Sequence, residues 1–79
     1  KHPYRLTLRS KEFSLLQLFM LNPGKVFTRS DLLELIWDSF ATVSTNTVDV
    51  HVARLRKKLK ECESHLAIKT IPCVGYVLH

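Results

Sequence analysis

Apolar residues change period along this chain, and each change marks an element. Tyr4, Leu6 and Leu8 alternate with polar neighbours, the period of a short half-buried strand over residues 4–8. From Lys11 to Leu21 the spacing becomes helical, with Phe13, Leu16, Phe19 and Met20 in register and Leu15 beside them. Asn22-Pro23-Gly24 ends that helix, because proline and glycine there favour a turn. A second helix start follows at Thr28, with Asp31 three residues on as the acid of a capping box. Leu32, Leu33, Leu35, Ile36 and Trp37 predict an apolar helix that ends near Asp38. Residues 39–44 have no helical period and predict a loop. Ser44 or Thr45 then caps a third helix running to about Cys62. Beyond it, residues 65–71 and 74–78 are rich in β-branched and aromatic side chains, with Pro72-Cys73 between them. They predict a β-hairpin, in which Gly75 marks either a bulge or a close approach of backbones. The expected architecture is α+β: a short strand, three helices containing a helix-turn-helix, and a C-terminal hairpin.

Length limits this architecture to one small domain, since 79 residues enclose a single core. No apolar run approaches the roughly 20 residues that cross a bilayer, and the N-terminal stretch has no apolar signal core. Neither membrane insertion nor export is expected, and the implied location is cytoplasmic. Two cysteines, Cys62 and Cys73, are too few for a disulfide framework. Together with His51 and His65 they lack the paired spacing of zinc modules, so no metal or cofactor is expected. No nucleophile, base and orienting acid occur as a set, and there is no glycine-rich phosphate loop. An enzyme is therefore not expected.

Charge adds the functional clue. The net charge is +5, and Arg54, Arg56, Lys57, Lys58 and Lys60 face Asp49 alone in the stretch 46–60. A basic run is often only a solvated face, but one concentrated on a single helix also suits a polyanion. At ~100° per residue, Val48, Val52, Leu55 and Leu59 form a narrow core stripe. Thr47, His51, Arg54 and Lys58 fall together on one flank, with Val50 a little further round. Lys57 lies opposite the core, and Arg56 and Lys60 share the other flank with Asp49. Such an anchored helix carries a hydroxyl, an imidazole and cations that reach base edges and phosphates in a major groove.

Several stretches then carry a resemblance. Lys11-Glu12-Phe13-x-Leu15-Leu16, Asn22-Pro23-Gly24-x-Val26-x-Thr28-Arg29, Leu32-Leu33-x-x-Ile36-Trp37, the run from Val48 to Leu59, and Gly75-Tyr76-x-Leu78 occur in order. Over residues 6–78 the chain resembles the C-terminal DNA-binding domain of OmpR/PhoB-type bacterial response regulators, a winged helix-turn-helix. The resemblance implies a two-component, phosphorelay-controlled transcription regulator whose third helix enters the major groove. It places base reading on Thr47, Val50 and Arg54, and phosphate contacts on Asn46, His51, Arg56, Thr70 and Tyr76, with the Trp37 indole as a further donor. Lys57 and Lys58 supply nearby cations. It also implies a phosphoacceptor receiver domain and further N-terminal strands upstream. The isolated domain would be a monomer that dimerises on tandem DNA half-sites, and residues 39–45 would form a loop able to meet RNA polymerase.

Three positions depart from the family pattern. Pro72-Cys73 stands in place of the wing's arginine-glycine pair, Ala53 in place of a cation, and Arg9-Ser10 in place of a threonine-proline helix start, where either Ser10 serves as the cap or the start frays. The altered wing keeps one alternative in play: a winged-helix module that docks on protein instead of DNA. The strand at 4–8 is expected to complete a three-stranded sheet with the hairpin.

Overall fold

The computed structural model describes residues 7–37 and 43–79. Helix α1 spans Ser10–Leu21. Its N-cap is Arg9, not Ser10. The Glu12 carboxylate turns back to accept from the Arg9 amide at 3.1 Å, so the acid half of a capping box supplies the cap that the serine was expected to give. The buried face also differs from expectation. Glu12, Leu15, Leu16 and Phe19 point inward, while Phe13 and Met20 are 56% and 53% exposed. Apolar residues surround most of α1, so periodicity alone does not select a face. Glu12 selects it, because its carboxylate pairs with the Lys58 ammonium of the third helix.

The Asn22-Pro23-Gly24-Lys25 turn brings the chain back. Pro23 presets the first central position, and Gly24 takes φ 81, which a side chain would resist. The Gly24 amide donates to the Leu78 carbonyl at 3.0 Å and so pins the turn to the end of the sheet. Strand β1, Val26–Thr28, follows directly. Thr28 is at once the last residue of β1 and the N-cap of α2, Arg29–Leu32, with the reciprocal Thr28–Asp31 bonds at 3.0 and 3.1 Å. A π-helical turn, Leu33–Trp37, extends α2. Helix α3, Thr45–Glu61, is capped by the Ser44 hydroxyl, which accepts from the Asn46 amide. It ends at Cys62 with Glu63 in the left-handed region, φ 57. There the Ser64 amide bonds the Leu59 carbonyl and the Glu63 amide bonds Lys60, the two bonds of a Schellman cap.

The hairpin consists of β2, Ile68–Ile71, and β3, Gly75–Leu78. Its turn keeps Pro72 at the first central position and Cys73 at the second, with φ 62 and the Val74 amide bonded to the Ile71 carbonyl. The antiparallel sheet has the order β1-β3-β2. Its third strand is thus Val26–Thr28, paired Val26 to Val77, Phe27 to Tyr76 and Thr28 to Gly75. Residues 4–6 of the expected strand lie outside the described residues, and Thr7 and Leu8 belong to no strand. Three residues wedged between a turn and an N-cap are too few to show alternation, which is why β1 has no sequence signature. Of the two roles open to Gly75, the structure selects close approach. A Cβ there would lie 1.9 Å from the Phe27 carbonyl oxygen.

The four stripe residues Val48, Val52, Leu55 and Leu59 are all buried. They meet Leu15 and Phe19 of α1, Leu32 of α2 and Phe27, Ile68, Tyr76 and Leu78 of the sheet in one core. Phe19 and Phe27 pack edge to face, with centroids 5.8 Å apart. Helix α3 is therefore seated along its whole length, and its other three sides are set by this seat.

Candidate nucleic-acid interface

With the stripe inward, α3 presents two flanks that the structure treats differently. On the first, Val50 and Arg54 are exposed, and Thr47 and His51 are half-buried, while Asn46 and Lys57 are exposed on the side opposite the core. The His51 Nδ1 lies 2.8 Å from the Thr47 carbonyl oxygen, one turn back. The ring meets Trp37 edge to face, with centroids 5.0 Å apart and planes at 80°. Trp37 is half-buried against the core, and the Lys11 ammonium lies 6.0 Å from its ring while bonding the Ile36 carbonyl. Thus α1, the π-helical turn and α3 meet at Trp37.

Lys58 shares this flank but is tied inward. Its ammonium donates to Glu12, whose side chain is wholly buried and whose Oε2 has no hydrogen-bond partner among the described residues. Burial pushes the Glu12 carboxyl up. Hydrogen bonds from Lys58 and the Arg9 amide, with the nearby positive charges, outweigh it and hold the group below its usual value. A cleft lined by Arg9, Glu12, Arg54 and Lys58 opens here beside the exposed face of α3.

The second flank is built into the fold. Asp49 accepts from Arg29 of α2 at 2.8 Å and from the Tyr76 hydroxyl of β3. Two guanidinium groups approach the Tyr76 ring, Arg29 at 5.5 Å and Arg56 at 5.2 Å from its centre. Arg56 in turn donates from Nε to the Ile68 carbonyl at 2.8 Å and from Nη2 to the Thr70 hydroxyl. The Tyr76 bond, opposed by burial but joined by Arg29, holds Asp49 below the usual carboxylate range. Burial first, then Asp49, raises the Tyr76 phenol. Tyr76 is 4% exposed. Its single hydroxyl proton is given to Asp49, so in this arrangement it has none to donate to a phosphate.

Arg29, Glu12 and Asp49 were not singled out from sequence as parts of the site. Two of them leave a signal in retrospect. Glu12 is a lone acid in an apolar run, and Asp49 is the lone acid in the basic stretch 46–60. Their cationic partners sit 46 and 20 residues away respectively, separations that no local pattern reports. Of the expected residues, Thr47, Val50, His51 and Arg54 share one face with Asn46 at its outer edge, Arg56, Thr70 and Tyr76 cluster on the other, and Trp37 borders the first. The loop at 39–45 falls largely outside the described residues.

Comparison with known proteins matches this arrangement. The family model described as "Transcriptional regulatory protein, C terminal" matches residues 3–78. The heme response regulator HssR of Staphylococcus epidermidis is 42% identical over 71 residues, 90% of this chain and 32% of that protein. The chain therefore spans about a third of the length of such curated relatives. The crystal structure of the DNA-binding domain of Bacillus subtilis CssR superposes with a TM-score of 0.83 at 35% identity, covering 94% of this chain and 80% of that one. The DNA-binding domain of the response regulator AdeR, solved in complex with an intercistronic region, gives 0.83 at 36% identity, covering 92% and 72%. Fold, motif order and the match across nearly all residues converge: the chain belongs to the C-terminal DNA-binding domains of OmpR/PhoB-type response regulators.

Proposed function

We propose that this domain recognises double-stranded DNA through the Thr47–Val50–Arg54 face of α3 laid in the major groove. The observation that carries this assignment is the contrast across α3. The core stripe and one flank are engaged within the fold, while Val50 and Arg54 stand exposed on the other flank beside Thr47 and His51. Arg54 is suited to a guanine edge, and Val50 and the Thr47 methyl to thymine methyls. Asn46, His51 and the Trp37 indole flank this line and are assigned to backbone phosphates. Lys57, exposed opposite the core, adds positive field. Lys58 contributes mainly charge, since its ammonium is tied to Glu12.

Arg56 and Thr70 act as one unit. The Thr70 hydroxyl accepts from Arg56 and keeps its own proton for a phosphate. Tyr76 supports that unit from beneath, and Pro72-Cys73 leaves the wing tip without a cation. The wing contact is accordingly a minor one, with no arginine to enter a minor groove.

A receiver domain upstream, dimerisation on tandem half-sites and a polymerase contact through residues 39–45 complete the proposal. The length of the relatives supports the first. Two weak sites gain affinity through effective concentration when joined, which supports the second. The test is an anisotropy titration on a selected duplex and a random one. Arg54→Ala is expected to lose about 1–3 kcal/mol on the selected DNA and far less on the random DNA. Equal losses on both would remove Arg54 from base reading. Failure of a covalently linked dimer to bind any duplex better than a charge-matched basic protein would favour protein docking.

A further inference from the structure

We propose that His51 engages a DNA phosphate only as the imidazolium, so that this domain takes up a proton when it binds DNA. The inference rests on the placement of His51 among the phosphate contacts above. Its carrier is the 2.8 Å contact between Nδ1 and the Thr47 carbonyl. A carbonyl oxygen only accepts, so Nδ1 bears the hydrogen. A neutral imidazole has one N–H, and its Nε2 then carries a lone pair. Phosphodiester oxygens are also acceptors. Neutral His51 would set a lone pair against an anion, whereas a second proton at Nε2 provides both a donor and a charge.

The fold holds the ring in this state. Switching the tautomer would turn the Nδ1 lone pair on the Thr47 carbonyl, and Trp37 confines the ring at a centroid distance of 5.0 Å. The charged groups nearby do not supply a resident counter-ion. On its own helix Arg54 lies three residues on, and from α1 the Lys11 ammonium approaches the far partner, Trp37, at 6.0 Å. Asp49 is bound to Arg29 and Tyr76 on the opposite flank. Among the described residues no carboxylate pairs with His51. The incoming phosphate supplies the missing negative charge, and proton uptake is thereby tied to binding.

The linkage has a definite sign. The bound state favours protonation, so affinity is full at low pH and falls as pH rises, by at most about tenfold per pH unit for one coupled proton. The experiment is an anisotropy titration at fixed ionic strength across about pH 6 to 8, the range in which histidine switches. It uses a random-sequence duplex and a selected one, since phosphate contacts act on both. Calorimetry in two buffers of different ionisation enthalpy counts the protons taken up. The wild-type domain should lose affinity several-fold per pH unit. His51→Gln, whose carboxamide donates at any pH, should give a flat profile, and His51→Lys a flat profile at high affinity. Arg54→Ala should bind more weakly yet keep the wild-type slope. Cooperative thermal melts establish that each variant at this half-buried position is folded. A slope that persists in His51→Gln, or DNA binding with no slope in the wild type, would overturn the proton coupling and leave the DNA interface standing. Absence of binding to either duplex at every pH would overturn both.

Discussion

The two flanks of α3 carry similar charge in sequence, yet Arg54 on one and Arg56 on the other have opposite duties in the fold. Arg54 and Lys58 lie on one, Arg56 and Lys60 on the other. Arg56 is anchored to β2 and stacked on Tyr76, beside an Asp49 that also holds Arg29. Arg54 has no hydrogen-bond or ion-pair partner among the described residues and extends from an exposed position. The difference teaches that a cation near a sheet edge is a structural strut as readily as a ligand contact. What separates the two is whether acceptors stand within reach. The Ile68 carbonyl, the Thr70 hydroxyl and the Asp49 carboxylate gather on one side only.

The sharpest way to break this contrast is at Gly75, because the strutted flank exists only if β3 can lie against β1. Gly75→Ala would drive a methyl into the Phe27 carbonyl, and a loss of about 3 kcal/mol is expected, measured by denaturant unfolding. Next comes the direct comparison of flanks. Asp49→Ala strands the Tyr76 hydroxyl and the Arg29 guanidinium and should destabilise the domain by about 2 kcal/mol. Arg54→Ala should leave the unfolding midpoint within about 0.5 kcal/mol of wild type while costing DNA affinity, the reverse profile. A large stability loss in Arg54→Ala would erase the distinction.

Smaller effects refine it. Glu63 and Cys73 occupy left-handed backbone that glycine adopts freely, so Glu63→Gly and Cys73→Gly should each stabilise by about 1 kcal/mol in thermal melts. The second also restores the glycine of the family wing, and its φ of 62 explains why glycine suits that place. Acid should act on both flanks through Glu12 and Asp49. Both have folded pKa values below their ordinary ones, so their stabilisation is complete above the usual carboxylate range and is lost as pH falls through and below it. Melts below about pH 4 should therefore show a decline, and Glu12→Gln combined with Asp49→Asn should flatten it.

Much of this arrangement was legible before any coordinates. The spacing of Val48, Val52, Leu55 and Leu59 located the buried stripe, and the stripe placed Thr47, Val50, His51 and Arg54 on an accessible side. The Thr28–Asp31 box followed from side-chain types at fixed offsets, as did a cap at Ser44 or Thr45, of which the structure uses Ser44. The buried face of α1 was misassigned at Phe13 and Met20, because an apolar helix offers several equivalent faces. Strand β1 escaped notice because its partner, β3, lies some fifty residues later.

Local order was thus determined by the sequence alone. Periodicity, caps and turn residues act within a few positions of themselves, and they specified three helices, a hairpin and the outward face of α3. Only the tertiary structure decided which apolar face of α1 is buried, which segment completes the sheet, and which cations serve the fold. Those choices depend on partners distant in sequence: Glu12 with Lys58, Phe27 with Tyr76, Arg29 with Asp49. A carboxylate or a carbonyl engages a cation only when the folded chain brings them within hydrogen-bond reach, and that distance is a property of the packed core.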